Sequence, residues 1–526
     1  MERAVGVESP PTRGTGRQTT AAAEPAPAKP AVAEQSNAWL VPVLMLVIGN
    51  FMAVLDVTIV NVAVSAIQKD FGASTDDVLW IATAYTLMLG VVVPASGWLG
   101  DRFGLHGVYV MSLLGFAVGS ALCALAGNLG TLIAFRVVQA IFGGILPVVA
   151  MSLLYRIVPR DKIGTAMGIF GVGSVFAPAA GPVLGGYLVE YFNWRLVFYI
   201  NVPIGVVGAV AAYFVVPKLG RAAARRFDVA GFLTSAFGLF AVLLAVSQGS
   251  QWGWTSYPIL ILIAAGVNSL VLFVLVELEV KQPLLDLRVL RSGTFTRSVV
   301  MMAVLQINLL TIFFYAPLFL QQDQNLPAFN AGLLLLPQAI LMGILMPITG
   351  RIYDKVGPRW VTVIGIGIAA YGTFLLTNIT IDVTHDALIG WTCVRGLGLG
   401  LSMMTIMTAG IAAVDPSATN QASAMFNVAR QVSGALGLAA YSALATAQQA
   451  QLLADRAPLL TNTGPGTDPR VQAMQAKGPG GMLPLWQQLQ AEVHAQSESN
   501  IFLITSALSA GTLLLAFALP ASRNKT

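Results

Sequence analysis

The stretch WLVPVLMLVIGNFMAVLDVTIVNVAVSA, Trp39 to Ala66, decides the fold class: it is apolar almost throughout and carries a single charge, Asp56. As an α-helix rising about 1.5 Å per residue, it is longer than the roughly 30 Å of hydrocarbon in a bilayer. Runs of this kind recur, and the sequence predicts fourteen spans, at roughly 39–66, 78–99, 107–127, 131–154, 163–187, 194–216, 228–247, 257–278, 297–319, 331–350, 358–377, 385–412, 421–448 and 500–520. Composition agrees. Of 526 residues, 56% are hydrophobic and 10% charged, against about 25% charged in a soluble domain. A soluble globular protein is excluded, and an all-α polytopic membrane protein is expected.

Several chemistries fall away with it. The two cysteines, Cys123 and Cys393, lie in apolar runs and make neither a disulfide framework nor a metal site. His106, His385 and His494 are scattered, and neither HExxH nor a GxxxxGK[ST] phosphate loop occurs. No metal or cofactor is expected, no span assembles a nucleophile, base and oxyanion set, and any pumping must draw on an ion gradient or a partner's ATPase. The net charge of +5 does not call for nucleic acid, because the basic residues sit in short loops, where they report orientation. Of 29 Lys and Arg, 21 fall in the terminal tails and the loops on their side and 5 on the opposite side; the other 3, Arg136, Arg395 and Arg430, lie within spans. Both termini are therefore expected in the cytoplasm.

Residues 1–37, rich in Ala and Pro, read as a disordered cytoplasmic tail, and 521–526 as a second short tail. Residues 449–499 read as a long external loop, either a gate or a tolerated insertion leading into the last span. An internal repeat organises the rest. GWLGDRFG at Gly97 to Gly104 is echoed by GRIYDKVG at Gly350 to Gly357, and Arg136 in span 4 is echoed by Arg395 in span 12. The offset is eight spans, so the expectation is a six-helix bundle at 38–216, an inserted pair of helices within 217–296, and a second six-helix bundle at 297–520.

These motifs resemble the major facilitator superfamily, in particular its fourteen-span drug:proton antiporters of the EmrB/QacA type. LDVTIVNVAV at Leu55 to Val64 is similar to that family's span 1 signature and the Gly97 loop to its gating motif. Arg136 stands where the span 4 motif has its arginine, GPVLGG at Gly181 to Gly186 resembles the span 5 antiporter motif, and NWRLVFYINVPIG at Asn193 to Gly205 resembles the stretch entering span 6. Leu105 and His106 stand where basic residues are usual, and Ala140 stands where a glycine is usual. The resemblance implies a multi-pass transporter of the plasma membrane, the cell's inner membrane, that exports lipophilic or amphipathic compounds by alternating access. The driving force would be the proton gradient, and the partners would be small molecules, protons and the lipid bilayer. A periplasmic adaptor is left open. The alternatives are a dedicated exporter of one endogenous metabolite or lipid-like molecule, and a non-transporting membrane scaffold or sensor.

The residues supply their own chemistry beside that resemblance. Asp56 is the carboxylate placed deepest in the hydrocarbon, where a charge costs about 2.5–3.5 kcal/mol on insertion scales and needs a partner or a role. Counted along their helices, Asp56 and Arg136 lie about 24 and 27 Å from the cytoplasmic side, hence level with each other. Either Arg136 switches Asp56 between holding and releasing a proton, or the two form a permanent structural pair. Gln139, on the face of Arg136, and Asn61, beyond Asp56, are expected to extend a polar relay or to bond neighbouring helices. Asp101 and Arg102, between Gly97 and Gly104, read as a gating latch that can cap or pair with a neighbouring helix, and Asp354 and Lys355 as its second copy. Ordinary loop charge is the alternative there. Gly181, Pro182, Gly185 and Gly186 read as a kinked, close-packing hinge in span 5 or as generic helix packing.

A substrate cavity is expected from Gln306, Asn308, Phe313 and Phe314 in span 9 and from Phe426 and Asn427 in span 13. Met403, Met404 and Met407 would add adaptable surface, and Arg430 would bind an anionic group or satisfy carbonyls. With Asp56 as the one deep acid, low proton stoichiometry and weak handling of dications are expected.

Overall fold

The computed structural model describes residues 38–219, 226–280, 282–324, 326–415, 418–461 and 479–521. The tails expected at 1–37 and beyond Ala521 lie outside these residues, as do 462–478 of the expected external loop. Among the described residues there is no strand. The helices are α1 Leu40–Phe71, α2 Thr75–Phe103, α3 Leu105–Ala124, α4 Leu129–Ile157, α5 Ile163–Tyr191, α6 Leu196–Val215 (with a turn at Ile200), α7 Val229–Trp252 and α8 Tyr257–Glu279. They continue with α9 Gly293–Gln322, α10 Ala328–Val356, α11 Pro358–Leu375, α12 His385–Ala412, α13 Thr419–Thr461, α14 Pro479–Gly511 and the short α15 Leu513–Phe517.

Sequence punctuation sets the helix ends. The Ser74 hydroxyl accepts from the Asp77 amide at 3.1 Å, Asn128 and Thr131 close a capping box, and the Asp228 carboxylate accepts from the Gly231 amide at 2.8 Å. Each satisfies an amide that the first turn would otherwise leave unpaired. The last glycine of each repeat copy, Gly104 and Gly357, has φ of 88° and 89°. That left-handed conformation suits glycine and turns α2 directly into α3 and α10 directly into α11.

Thirteen stretches are long and apolar enough to cross a membrane, α14 and α15 counting together as one. The exception is the 43-residue α13. It packs on α2, α4, α7, α9 and α14, so much of its surface faces protein rather than lipid and tolerates polar residues. The opposite case is α8, whose apolar side chains face outward: Tyr257 is 84% and Ile261 64% exposed. The flanks of the expected external loop are helical, α13 running to Thr461 and α14 starting at Pro479 as the lead into the last span. The Ala, Gln and Leu of AQQAQLLAD are good helix formers, which extends the helix past the hydrocarbon limit.

Packing repeats with the sequence. α1 packs on α5 as α9 does on α13, α3 on α4 as α11 on α12, α2 on α4 as α10 on α12, and α3 on α6 as α11 on α14. α7 and α8 pack on each other, and α7 also on α2 and α13. The first six helices meet the last six along α5 with α10 and α2 with α13.

Candidate functional site

Asp56 and Arg136 meet in the interior of the first six helices, both no more than 1% exposed. Arg136 Nη1 donates to Asp56 Oδ2 at 2.5 Å and to Gln139 Oε1 at 2.7 Å. The other carboxylate oxygen, Oδ1, accepts from Gln139 Nε2 at 3.0 Å and from Asn201 Nδ2 at 2.8 Å. Both amides also donate to Ser120 Oγ, at 3.0 and 3.1 Å, and Ser120 donates to the Phe198 carbonyl at 2.9 Å. The Tyr85 ring closes the other side, its centroid 3.8 Å from Arg136 Cζ, a cation–π contact in a dry setting. Five helices, α1, α2, α3, α4 and α6, thus converge on one ion pair.

Two local features bring them together. Gln139 follows Arg136 by three residues and so shares its face. Gly119 lets α3 approach α4: a Cβ there would lie 2.8 Å from Gln139 Cα. Asn61 stands apart from this cluster and is exposed. Five residues at about 100° each carry it some 140° around α1 from Asp56, and Asn201 of α6 fills the place expected of it. Ser120, Asn201 and Tyr85 were not predicted from the sequence. Asn201 carried a signal, as a lone amide in the apolar run FYINVPIG; Ser120 carried none among the many small residues of α3.

The last six helices hold a counterpart without a carboxylate. Arg395, 1% exposed, donates from Nε to Asn308 Oδ1 at 2.8 Å, from Nη2 to the Asn308 carbonyl, and from Nη1 to Gln338 Oε1 at 3.4 Å. Asn308 Nδ2 in turn donates to Thr373 Oγ1 at 3.1 Å and Ser509 Oγ at 2.8 Å. Helix by helix, Asn308 stands for Asp56, Thr373 for Ser120, Arg395 for Arg136 and Ser509 for Asn201. The titratable member of the pair is confined to the first six helices. Asp56 is not the only buried acid, however: Glu277 and Glu498 are 2% and 5% exposed. Glu277 sits in the last turn of α8, and Glu498 lies within α14 just before the span expected at 500–520, where counting residues along a span suggests water.

At the end of the bundle carrying the repeat loops, each repeat aspartate reaches a helix of the other six. Asp354 accepts from the Gly164 amide at 3.0 Å, the Thr165 amide at 3.1 Å and Thr165 Oγ1 at 3.1 Å, capping the first turn of α5. Asp101, 6% exposed, accepts from Asn420 Nδ2 at the start of α13 and lies 3.9 Å from Arg156. Gly97 faces the Asn420 carbonyl, while Arg102 and Lys355 point outward and are exposed. Asp354→Ala removes one such cap, at an ordinary cost of about 1 kcal/mol. That is roughly a fivefold shift toward separation of α5 and α10. Met346→Cys on α10, fully buried against α5, reports it as faster maleimide labelling in a background lacking Cys123 and Cys393.

In α5, Gly181 and Gly185 face α1 at Thr58 and Ile59, within three residues of Asp56. Pro182 faces α10 at Gly332, and Gly186 faces open space. The helix itself runs unbroken through Pro178 and Pro182. The hinge positions therefore set how α1 and α5 cross, beside the ion pair.

The residues expected to form a cavity do not act together. Asn308 is committed to Arg395. Phe314 is 48% exposed on the outer surface, Phe313 is half-buried, and Phe426 is fully buried with its ring centroid 5.2 Å from that of Phe295. Met403, Met404 and Met407 are core residues of α12. Asn427 bonds back to the Ser423 carbonyl at 2.9 Å. Arg430 and Gln306 do meet, Nε to Oε1 at 3.4 Å, where α13 crosses α9, and Arg430 is half-buried.

A helical bundle whose packing repeats at an offset of eight helices, with a buried ion pair in its interior and contacts between its halves at one end, is the plan of a membrane transporter rather than an enzyme. The sequence pattern of the Major Facilitator Superfamily matches residues 46–438, and the chain belongs to that family. It is 35% identical over 394 residues to the uncharacterized MFS-type transporter YhcA of Bacillus subtilis, covering 75% of this chain and 74% of that one. It is 33% identical over 409 residues to the multidrug resistance protein B homolog of Mycobacterium tuberculosis, covering 76% and 75%. The human organic anion transporter MFSD10 (TETRAN) shares the fold, with a TM-score of 0.57 at 11% identity over 90% of this chain and 99% of that one.

Proposed function

We propose that the protein is a proton-coupled multidrug efflux transporter of the fourteen-span EmrB/QacA type, exporting lipophilic or amphipathic compounds across the plasma membrane by alternating access. In this reading α1–α6 and α9–α14 are two six-helix bundles, α7 and α8 are the inserted pair, both termini are cytoplasmic, and the latch end is the cytoplasmic end. The observation that carries it is the Asp56–Arg136 pair, buried where five helices meet. A relative named for multidrug resistance supports the choice of substrate class.

The proton chemistry follows from the pair. A guanidinium beside a carboxylate favours the charged form, whereas a carboxylate isolated in a dry interior takes up a proton, because the bare charge is costly there. Rocking α1 and α3 against α4 changes that separation. Proton uptake from outside and release inside then alternate with outward release of drug. One proton at one pH unit, about 1.36 kcal/mol, and 100 mV, about 2.3 kcal/mol, sustains a concentration ratio of a few hundred for a neutral drug.

The test uses purified protein in proteoliposomes under an imposed pH gradient, with a panel of lipophilic cations and neutral drugs. Drug-dependent proton movement supports antiport. Its absence from well-folded protein across the panel overturns the multidrug reading in favour of one dedicated substrate or no transport.

A further inference from the structure

At the end of the bundle away from the latches, α9, α13 and α14 enclose acid groups that the Asp56 site does not use. α14 carries His494 and, one turn on, Glu498. α9 brings Asp323 at its end and Tyr315 about two turns deeper, and α13 brings Tyr441. His494 Nδ1 lies 3.2 Å from Asp323 Oδ1. Glu498 is 5% exposed and its Oε2 has no hydrogen-bond partner; Tyr315 is equally buried and its hydroxyl has none either. Asp323 and Tyr315 both lie within electrostatic range of Glu498, and Tyr441 within range of Tyr315. From the turn after α11 comes only the Thr377 carbonyl, which accepts from Ser499 Oγ at 2.6 Å; His385 is exposed and bonds Gln324 at 3.1 Å. Among the described residues no Lys or Arg pairs with Glu498.

A carboxylate so buried, near a second carboxylate and an unsatisfied phenol, with the one nearby imidazole already paired to Asp323 and no Lys or Arg to balance it, has one inexpensive occupant, a proton. Its depth suits that occupant. Glu498 stands nineteen residues above Phe517, about 29 Å, at the far edge of the hydrocarbon. His494 and Asp323 lie between it and water, the pair 36% and 6% exposed. Farther in, the same seam of α14 carries Thr505, whose hydroxyl bonds the Tyr441 hydroxyl at 2.8 Å, and Ser509, which bonds Asn308 beside Arg395.

We infer that Glu498 is a second proton-binding site, separate from Asp56, on the outer side of the last six helices and reached through Asp323 and His494. The carboxylate takes a proton from external water and returns it there or passes it inward, with no other reactant. Its outward placement and its use in transport rest on the antiport reading; the binding of the proton does not. A chain with two such acids would exceed the low stoichiometry expected from Asp56 alone.

The test is an infrared pH titration of the protein in nanodiscs, following the C=O stretch of protonated carboxylic acids, in the Asp56→Asn background. With Glu277, the other buried glutamate, also replaced by Gln, a titrating band is expected there, lost when Glu498→Gln is added and moved about one pH unit lower by Asp323→Asn, which removes the neighbouring negative charge. A band absent from Asp56→Asn/Glu277→Gln, or unchanged by Glu498→Gln, overturns the inference. If the Glu498 variant does not fold, an unshifted midpoint in Asp323→Asn overturns it. Loss of drug-driven proton movement by the wild-type protein would sink the antiport reading while leaving this band in place.

Discussion

Asp56→Asn is expected to reduce drug-driven proton movement to the level of protein-free liposomes while still permitting drug binding that no longer depends on pH. The amide cannot exchange a proton in this range, and it also disturbs the site. Oδ1 and Oδ2 both accept hydrogen bonds, from Gln139, Asn201 and Arg136; the new NH2 group must turn a donor toward one of these donors. Arg136, 1% exposed, is left buried without its counter-charge. Breaking one side of a buried ion pair costs about 3–5 kcal/mol, so the melting temperature falls as well. The double variant Asp56→Asn/Arg136→Met removes the stranded charge and is expected to recover much of that stability but none of the coupling. Normal coupling in Asp56→Asn would make the pair a structural brace and place the proton site elsewhere.

The second large effect is expected at Gly350, where α10 crosses α5. A Cβ at this position would overlap the Gly164 carbonyl and lie 2.8 Å from the Thr165 amide; a Cβ at Gly164 would lie 2.6 Å from Asp354 Oδ1. The obstruction is mostly backbone, which no side-chain rotation relieves. Gly350→Leu must therefore push the helices apart and pull Asp354 away from the first turn of α5. Overpacking of this kind costs about 1–3 kcal/mol, a roughly five- to hundredfold shift toward the form open at the latch end. Labelling of Met346→Cys by a maleimide should accelerate by that factor, at least as much as in Asp354→Ala. An unchanged labelling rate would mean that this crossing does not move during access.

Much of the architecture was legible because hydrocarbon is a strict solvent. Backbone polar groups must be satisfied within each segment that crosses it, which leaves long apolar helices as the readable unit. The span expected at 421–448, α13, is the least apolar of them, and it packs on α2, α4, α7, α9 and α14, so its sequence was under a weaker constraint. Asp56, Arg136 and Gln139 were legible for a related reason: a charge at that depth stands out against its surroundings. Tyr85 and Ser120 were not, since a tyrosine and a serine are unremarkable on a membrane helix until the fold brings them against the guanidinium and the amides. Asn308 was misread as a substrate contact for the same reason, its partner Arg395 lying 87 residues away.

Read alone, the sequence shows that the chain crosses a membrane as helices, that one loop motif occurs twice, at Gly97 to Gly104 and Gly350 to Gly357, and that Asp56 and Arg136 are charges set within apolar spans. These are properties of segments, set by hydropathy and spacing along one chain. It takes the folded chain to show that Asn201 and not Asn61 completes the Asp56 site, that each repeat aspartate reaches a helix of the opposite six, and that Glu498 is shut away near Asp323. Those outcomes depend on which faces of helices distant in sequence meet and how closely their glycines let them approach, and the periodicity of one helix carries no information about its partner.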